Sequence, residues 1–296
     1  MNVWRQHEFL LLAGLCSVTA TACNRHESDS SARSPAQVIQ RIRAWADFES
    51  DASSSSESTP IEVVHHASGI RMRLIPAGSY QRGAPASDQE ANDTERPVHE
   101  VQISRPFFLG ICEVTTSEWN RIMHPELQDH ANKSHALDNL PIVGVSVGAR
   151  DEFLSRVGCR LPTEAEWESA ARAGVAASRY GPVDSIAWCA TNSAGTLHPV
   201  GQKLPNAWGL FDTLGNAAEW TADRYSTDAY KALVSPVKDP CNTAGVLGSV
   251  VGAPIHVLRG GAWSGPAGAC RASSRIWYDT DSDANDFIGL RVAHDL

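Results

Sequence analysis

Two carboxylates seven residues apart, Asp212 and Glu219, flank Thr213-Leu214-Gly215-Asn216-Ala217-Ala218, and Gly215 allows a tight turn between them. Hard cations such as Ca²⁺ take carboxylate and carbonyl oxygens from such a turn. The segment is therefore either a cation site or an Asp turn whose Glu satisfies loop amides. A second acidic run, Asp279-Thr280-Asp281-Ser282-Asp283-Ala284-Asn285-Asp286, opens like an EF-hand loop, but Ala284 stands where that loop needs Gly and Leu290 where it needs Glu. It reads as a solvated acidic loop. His124, His130 and His135, at steps of 6 and 5, share no helical face and read as surface histidines. Gly260-Gly261 lacks the Lys and third Gly of a phosphate loop, and there is no Gly-x-Ser-x-Gly elbow. Glu164, Glu166 and Glu168 open a helix, where the macrodipole favours acids, so capping accounts for them without catalysis.

Lys and Arg number 25 against 34 Asp and Glu, a net charge of −9 that leaves no cationic excess for phosphates, so nucleic-acid binding is not expected. Nine Trp, 22 Gly and 16 Pro in 296 residues indicate a loop-rich fold rather than a helix bundle. Residues 1–22 read as an export signal: Arg5 precedes an apolar stretch too short to span a bilayer comfortably, which ends Ala20-Thr21-Ala22 before Cys23. Processing at Cys23 would give a lipoprotein held in the bacterial cell envelope or periplasm by its N-terminal lipid; ordinary cleavage would give a soluble secreted protein. Export puts the remaining cysteines where disulfides persist. Cys189 and Cys241, both in loop-like sequence, are the favoured disulfide; Cys112 reads as buried core.

These groups must be positioned by short elements. Residues 23–68 are polar and Ser-rich and read as a tether, with one short helix suggested by Val38, Ile39, Ile42 and Trp45 after a Ser-Pro start. From residue 69 to 296 a folded domain is expected. Ile70, Met72 and Leu74 alternate with Arg71 and Arg73, as a half-buried strand requires. Thr115 with Glu118 and Thr163 with Glu166 fit capping boxes, followed by the apolar faces Trp119, Ile122, Met123 and Trp167, Ala170, Ala171. A third helix starts at Ser146 and buries Ala149, Phe153 and Val157.

Several segments, in order, carry a family resemblance: Glu95-Arg96-Pro97-Val98-His99, Glu113-Val114-Thr115, Arg160-Leu161-Pro162-Thr163-Glu164-Ala165-Glu166-Trp167-Glu168, Asn206-Ala207-Trp208-Gly209-Leu210, Gly215-Asn216-Ala217-Ala218-Glu219-Trp220, Arg259-Gly260-Gly261-Ala262-Trp263, Cys270-Arg271 and Gly289-Leu290-Arg291. Together they resemble the sulfatase-modifying factor family, which includes formylglycine-generating enzyme. The resemblance implies a single mixed, loop-rich α+β domain related to C-type lectin folds. It also implies structural Ca²⁺ at Asp212, Gly215, Ala217 and Glu219, the middle two through their carbonyls, and a weaker second metal site at Asn192 and the Ser193 carbonyl.

Formylglycine-generating enzyme oxidises a substrate cysteine with Cu(I) held between two thiolates that follow its Gly-Gly segment. Here Ser264-Gly265-Pro266-Ala267-Gly268-Ala269 lies between Trp263 and Cys270, so both copper-ligand positions lack sulfur. Cys270 stands where the family has a structural cysteine. Ala262 replaces the active-site serine and Ala218 a tryptophan. Copper is therefore not expected. The resemblance implies a binding or scaffold module with a cleft at Trp220, Trp263, Ser264 and Arg271 that takes a peptide, an envelope protein or a small ligand; the other reading of Trp220, Trp263 and Arg271, favoured for the two tryptophans, is fold packing, with Arg271 satisfying buried carbonyls or carboxylates. The alternative is an oxidative maturation enzyme acting on a protein cysteine or a metabolite.

Overall fold

The computed structural model describes residues 35–49, 61–130, 137–231, 233, 235–243, 255–279 and 285–296. The expected signal 1–22, Cys23, the serine run at 51–58, His135, and Asp281 and Asp283 of the acidic run lie outside the described residues. Among the described residues no helix is long and apolar enough to cross a membrane.

Residues expected to form a tether instead enter the fold. Val38 and Ile42 of α1 (Pro35–Arg43) are buried, and the chain then turns into β1 (Ala46–Phe48), which pairs antiparallel with β2 (Glu62–His65). Burial of one apolar helix face and of Ala46 and Val63 offsets the ordering cost of this polar stretch. The five-stranded antiparallel sheet runs β1-β2-β3-β6-β12, with β3 (Arg71–Ile75), β6 (Phe107–Gly110) and β12 (Ala293–Asp295). As expected from alternation, Met72 and Leu74 face inward while Arg71 is exposed.

A three-stranded sheet joins β4 (Gly78–Arg82), β5 (His99–Ile103) and β8 (Val237–Lys238). A four-stranded sheet runs β10-β9-β7-β11, with β7 (Ala218–Arg224), β9 (Ile255–Arg259), β10 (Ile276–Asp279) and β11 (Ile288–Gly289). Both capping boxes form, at Thr115 for α2 (Thr116–Met123) and Thr163 for α4 (Glu164–Arg172). Ser146 caps α3 (Val147–Val157), which buries Phe153 and Val157 and leaves Ala149 half-buried.

Capping does not account for the acids of α4. Glu166 caps the helix and pairs with Arg160 at 2.6 Å, but Glu164 and Glu168 lie on the same helical face as the buried Trp167 and Ala171. Arg275 Nε donates to Glu164 Oε1 at 2.6 Å, and Arg82 Nη2 lies 2.8 Å from Glu164 Oε2. Arg172 Nε and the Gly83 amide donate to Glu168 Oε1 at 2.9 and 2.8 Å, and Arg259 Nη2 donates to Glu168 Oε2. Burial alone would raise the Glu164 carboxyl; the charges of Arg275, Arg82 and Arg259 outweigh it and bring it to about 2.

Since the folded value lies below the ordinary 4.5, this stabilisation is full above pH 4.5 and is lost as pH falls through about 2. Urea unfolding should therefore show a loss of about 3 kcal/mol across that window from this group. The slope should flatten in Glu164→Gln; an identical slope in the variant contradicts the assignment.

Candidate functional site

Three loops converge around the glycine doublet. Arg259 ends β9 and directly precedes Gly260 and Gly261, both in the left-handed region, at φ 96° and 80°. A Cβ on Gly260 would lie 3.0 Å from the Thr213 carbonyl oxygen, and one on Gly261 3.0 Å from Cys270 Sγ. The doublet is thus pressed between the 212–219 turn and Cys270, and the Gly215 amide donates to the Gly260 carbonyl at 2.8 Å. Gly215 has φ 82°, and a Cβ there would sit 2.3 Å from the Trp188 carbonyl, so the turn requires glycine. Asn216 clamps the third loop: its Oδ1 accepts from the His198 amide at 3.1 Å and its Nδ2 donates to the His198 carbonyl at 3.2 Å.

The expected calcium ligands occupy this turn, but their oxygens differ in availability. Both Glu219 carboxylate oxygens are engaged, with Arg291 at 2.6 Å and with Trp167 Nε1 at 2.6 Å. Asp212 Oδ2 accepts from the Gly201 amide at 2.6 Å, while its buried Oδ1 has no hydrogen-bond partner. Glu113, whose role sequence reading missed, accepts from the Ala217 amide at 3.2 Å and likewise leaves a buried Oε2 without a partner. Burial, and the charge of Glu219, raise the Asp212 carboxyl to about 6; burial and Asp212 push Glu113 well above the usual carboxylate range. Two desolvated carboxylates with free oxygens fit a hard cation. Among the described residues no three His, Cys, Asp or Glu side chains form a metal-ligating group, so such a cation relies on backbone carbonyls as well.

The weaker site fits less well. Asn192 Oδ1 accepts from the Cys189 amide at 2.9 Å, and the Ser193 carbonyl is 2.8 Å from His198 Nε2. The oxygens expected to hold a second cation are already used by the loop itself. His198 also stacks on Trp188, with ring centroids 3.6 Å apart, and Lys203 Nζ lies 3.7 Å from the Trp188 ring, a cation–π arrangement with no sequence signal.

The expected cleft is largely closed. Trp220 is buried, with the Arg150 guanidinium 4.8 Å from its ring centre and Tyr278 edge-on to it. Arg271 is buried too, bound to both oxygens of Glu95 at 2.7 and 2.8 Å and to Asp88 at 3.0 Å. Arg271 is inside because its desolvated guanidinium is paired with carboxylates, and Trp220 because its ring is covered by Arg150 and Tyr278. Trp263 is half-buried, its Nε1 donating to the Asp286 carbonyl at 3.2 Å, and Ser264 is exposed. A depression of about 360 Å³ is lined by Ser87, Asp88, Glu90 and Ser178, of which Asp88 pairs with Arg271.

The donor set does not fit Cu(I). Residues 262–269 carry no sulfur, and Cys270 is fully buried in an apolar cluster with Cys189. Cys189 is fully buried and shares an apolar cluster with Cys270, whereas Cys241, its expected disulfide partner, is half-buried on a separate segment. Cys112 is half-buried rather than core.

Comparison with known proteins places this geometry. Residues 57–296 match the sulfatase-modifying factor enzyme 1-like domain. Serine/threonine-protein kinase pkn1 of Chlamydia pneumoniae is 31% identical over 249 residues, which is 76% of this chain and 38% of that protein. Formylglycine-generating enzyme of Streptomyces coelicolor is 35% identical over 177 residues, 53% of each protein. The chain thus spans about half or less of the length of these two relatives. The structure of PvdO from Pseudomonas aeruginosa superposes with a TM-score of 0.61 at 25% identity, covering 78% of this chain and 96% of that one.

Proposed function

The chain belongs to the sulfatase-modifying factor family, and from that premise we propose that it is an exported, lipid-anchored member that binds a peptide, an envelope protein or a small ligand, or acts as a scaffold, without copper-dependent formylglycine formation. The observation that carries this reading is the donor set beside Gly260 and Gly261: residues 262–269 supply no thiolate, and Cys270 is turned into the core. Cu(I) needs soft sulfur ligands that stay open to a substrate thiol. Burial pushes the Cys270 thiol up to about 12, which holds it protonated and poor as a ligand. Exposed Ser264 and half-buried Trp263, or the separate depression at Ser87, Asp88, Glu90 and Ser178, are the surfaces on which a ligand would sit. No Gly-rich phosphate loop with its Lys is present, so the kinase activity named for one relative is not part of the proposal.

Structural Ca²⁺ belongs to the same reading, at Asp212, Gly215, Ala217 and Glu219. The partnerless oxygens Asp212 Oδ1 and Glu113 Oε2 support a cation in this turn; Glu219 would share oxygens already bound by Arg291. The cation would neutralise two carboxylates that burial otherwise disfavours. The lipid anchor rests on Cys23 after Ala20-Thr21-Ala22.

Purified protein incubated with Cu(I), O₂ and a Cys-x-Pro-x-Arg peptide should give no more thiol-to-aldehyde conversion by mass than Cu(I) alone; conversion above that control would establish the oxidative alternative. A calcium chelator should lower the Tm of the wild type by several degrees and leave Asp212→Asn unmoved, whereas an unmoved wild type removes the site. Acyl labelling in bacteria should be lost in Cys23→Ala; equal labelling defeats the anchor.

A further inference from the structure

Cys189 and Cys270 are each fully buried and belong to one apolar cluster with Trp167, Ala171, Ile186, Leu214 and Ala272. They meet in that cluster although 81 positions apart in sequence, since 270 − 189 = 81, and Cys189 Sγ also lies 3.2 Å from Thr191 Oγ1. Around them the two loops are already laced together. The Ala190 amide donates to the Gly265 carbonyl at 2.9 Å, and Ser193 Oγ donates to the Trp263 carbonyl at 2.8 Å. From the other side Arg179 donates to the Cys270 and Ala267 carbonyls at 2.9 and 2.8 Å. The backbone that presents the two sulfurs is held on both sides without any bond between them.

We propose that Cys189 and Cys270 form a disulfide that staples the 187–193 loop beneath the glycine doublet. The two residues already share one apolar cluster, and the loops that carry them are hydrogen-bonded to each other. Cys241, the partner suggested by sequence, is half-buried on another segment, and Cys112 and Cys159 are likewise half-buried. The inference does not depend on the proposed function, since it concerns the packing of one pair of sulfurs.

The oxidant is a small-molecule disulfide such as oxidised glutathione. One cysteine thiolate attacks that disulfide, releasing one thiol and leaving a mixed disulfide; the second cysteine thiolate then displaces the other thiol. The two protein sulfurs are oxidised, the small disulfide is reduced to two thiols, and the two cysteine protons end on those thiols. Because both sulfurs are inaccessible in the folded chain, the exchange takes place while the chain folds and the finished bridge is shielded from reductant. Closing so long a loop constrains the unfolded chain strongly. The bridge also withdraws the sulfur nearest the glycine doublet from any metal.

The full chain, refolded with oxidised and reduced glutathione, is unfolded in an alkylating reagent and digested without reduction. A peptide pair joining Cys189 to Cys270, lighter by two hydrogens than the separate peptides, is the expected product. Alkylation of both residues, or their linkage to any other cysteine, overturns the proposal. Reduction under denaturing conditions before refolding without oxidant should lower Tm by about 10 °C, and Cys189→Ala/Cys270→Ala should show no such difference. Peptide mapping uses the wild type alone, so it decides the matter even if the double variant does not fold.

Discussion

The structure depends on keeping several desolvated guanidiniums paired. Arg82, Arg172, Arg259 and Arg275 converge on Glu164 and Glu168, and all six side chains are nearly inaccessible. Such charges are tolerable in the interior only when every partner is in place, because a lone buried charge costs far more than the pair gains. The network therefore does more to fix geometry than to add stability. Arg259 also donates to the carbonyls of Ala272 and Ser273 and immediately precedes Gly260, so β9, α4 and the 270–275 segment share one anchor at the root of the glycine doublet. Glu219 with Arg291 repeats the device on the other side of Trp167.

This anchoring has a consequence for chemistry. The turn that bears the family's site segment is shaped by ion pairs, glycine geometry and two buried cysteines, all contributed by the protein itself. Beside the doublet Trp263 is half-buried and Ser264 is exposed. Asp212 and Glu113 are buried carboxylates that each keep one oxygen without a partner, whereas both oxygens of Glu219 are held by Arg291 and Trp167, so a cation in this turn would draw first on Asp212 and Glu113.

Much of the scaffold was legible in the sequence because its signals are local. The capping boxes at Thr115 and Thr163 are four-residue patterns, and the alternation around Met72 marks a strand whatever it pairs with. The family motifs carried the fold. What escaped detection depends on partners distant in sequence. Glu164 and Glu168 looked like ordinary first-turn acids, although their spacing with Trp167 and Ala171 put them on a buried face that demanded cations from residues 82, 259 and 275. The short helix at 35–43 was signalled by Val38, Ile39 and Ile42, but the strand at 46–48 that docks it was hidden by its polar surroundings, and the meeting of Cys189 with Cys270 depends on residues far apart in sequence. Trp220 and Arg271, chosen as cleft walls for their chemistry, are inside because their types also suit a packed, charge-paired interior.

The most direct measurement is urea unfolding of Glu168→Gln, which preserves shape but removes the charge that Arg172 and Arg259 share. If buried ion pairing holds the glycine doublet in place, the variant loses about 3–5 kcal/mol and its tryptophan near-ultraviolet signal changes as the Arg259 segment loosens. A loss under about 1 kcal/mol, of the size found for exposed pairs, with an unaltered signal, would contradict the account.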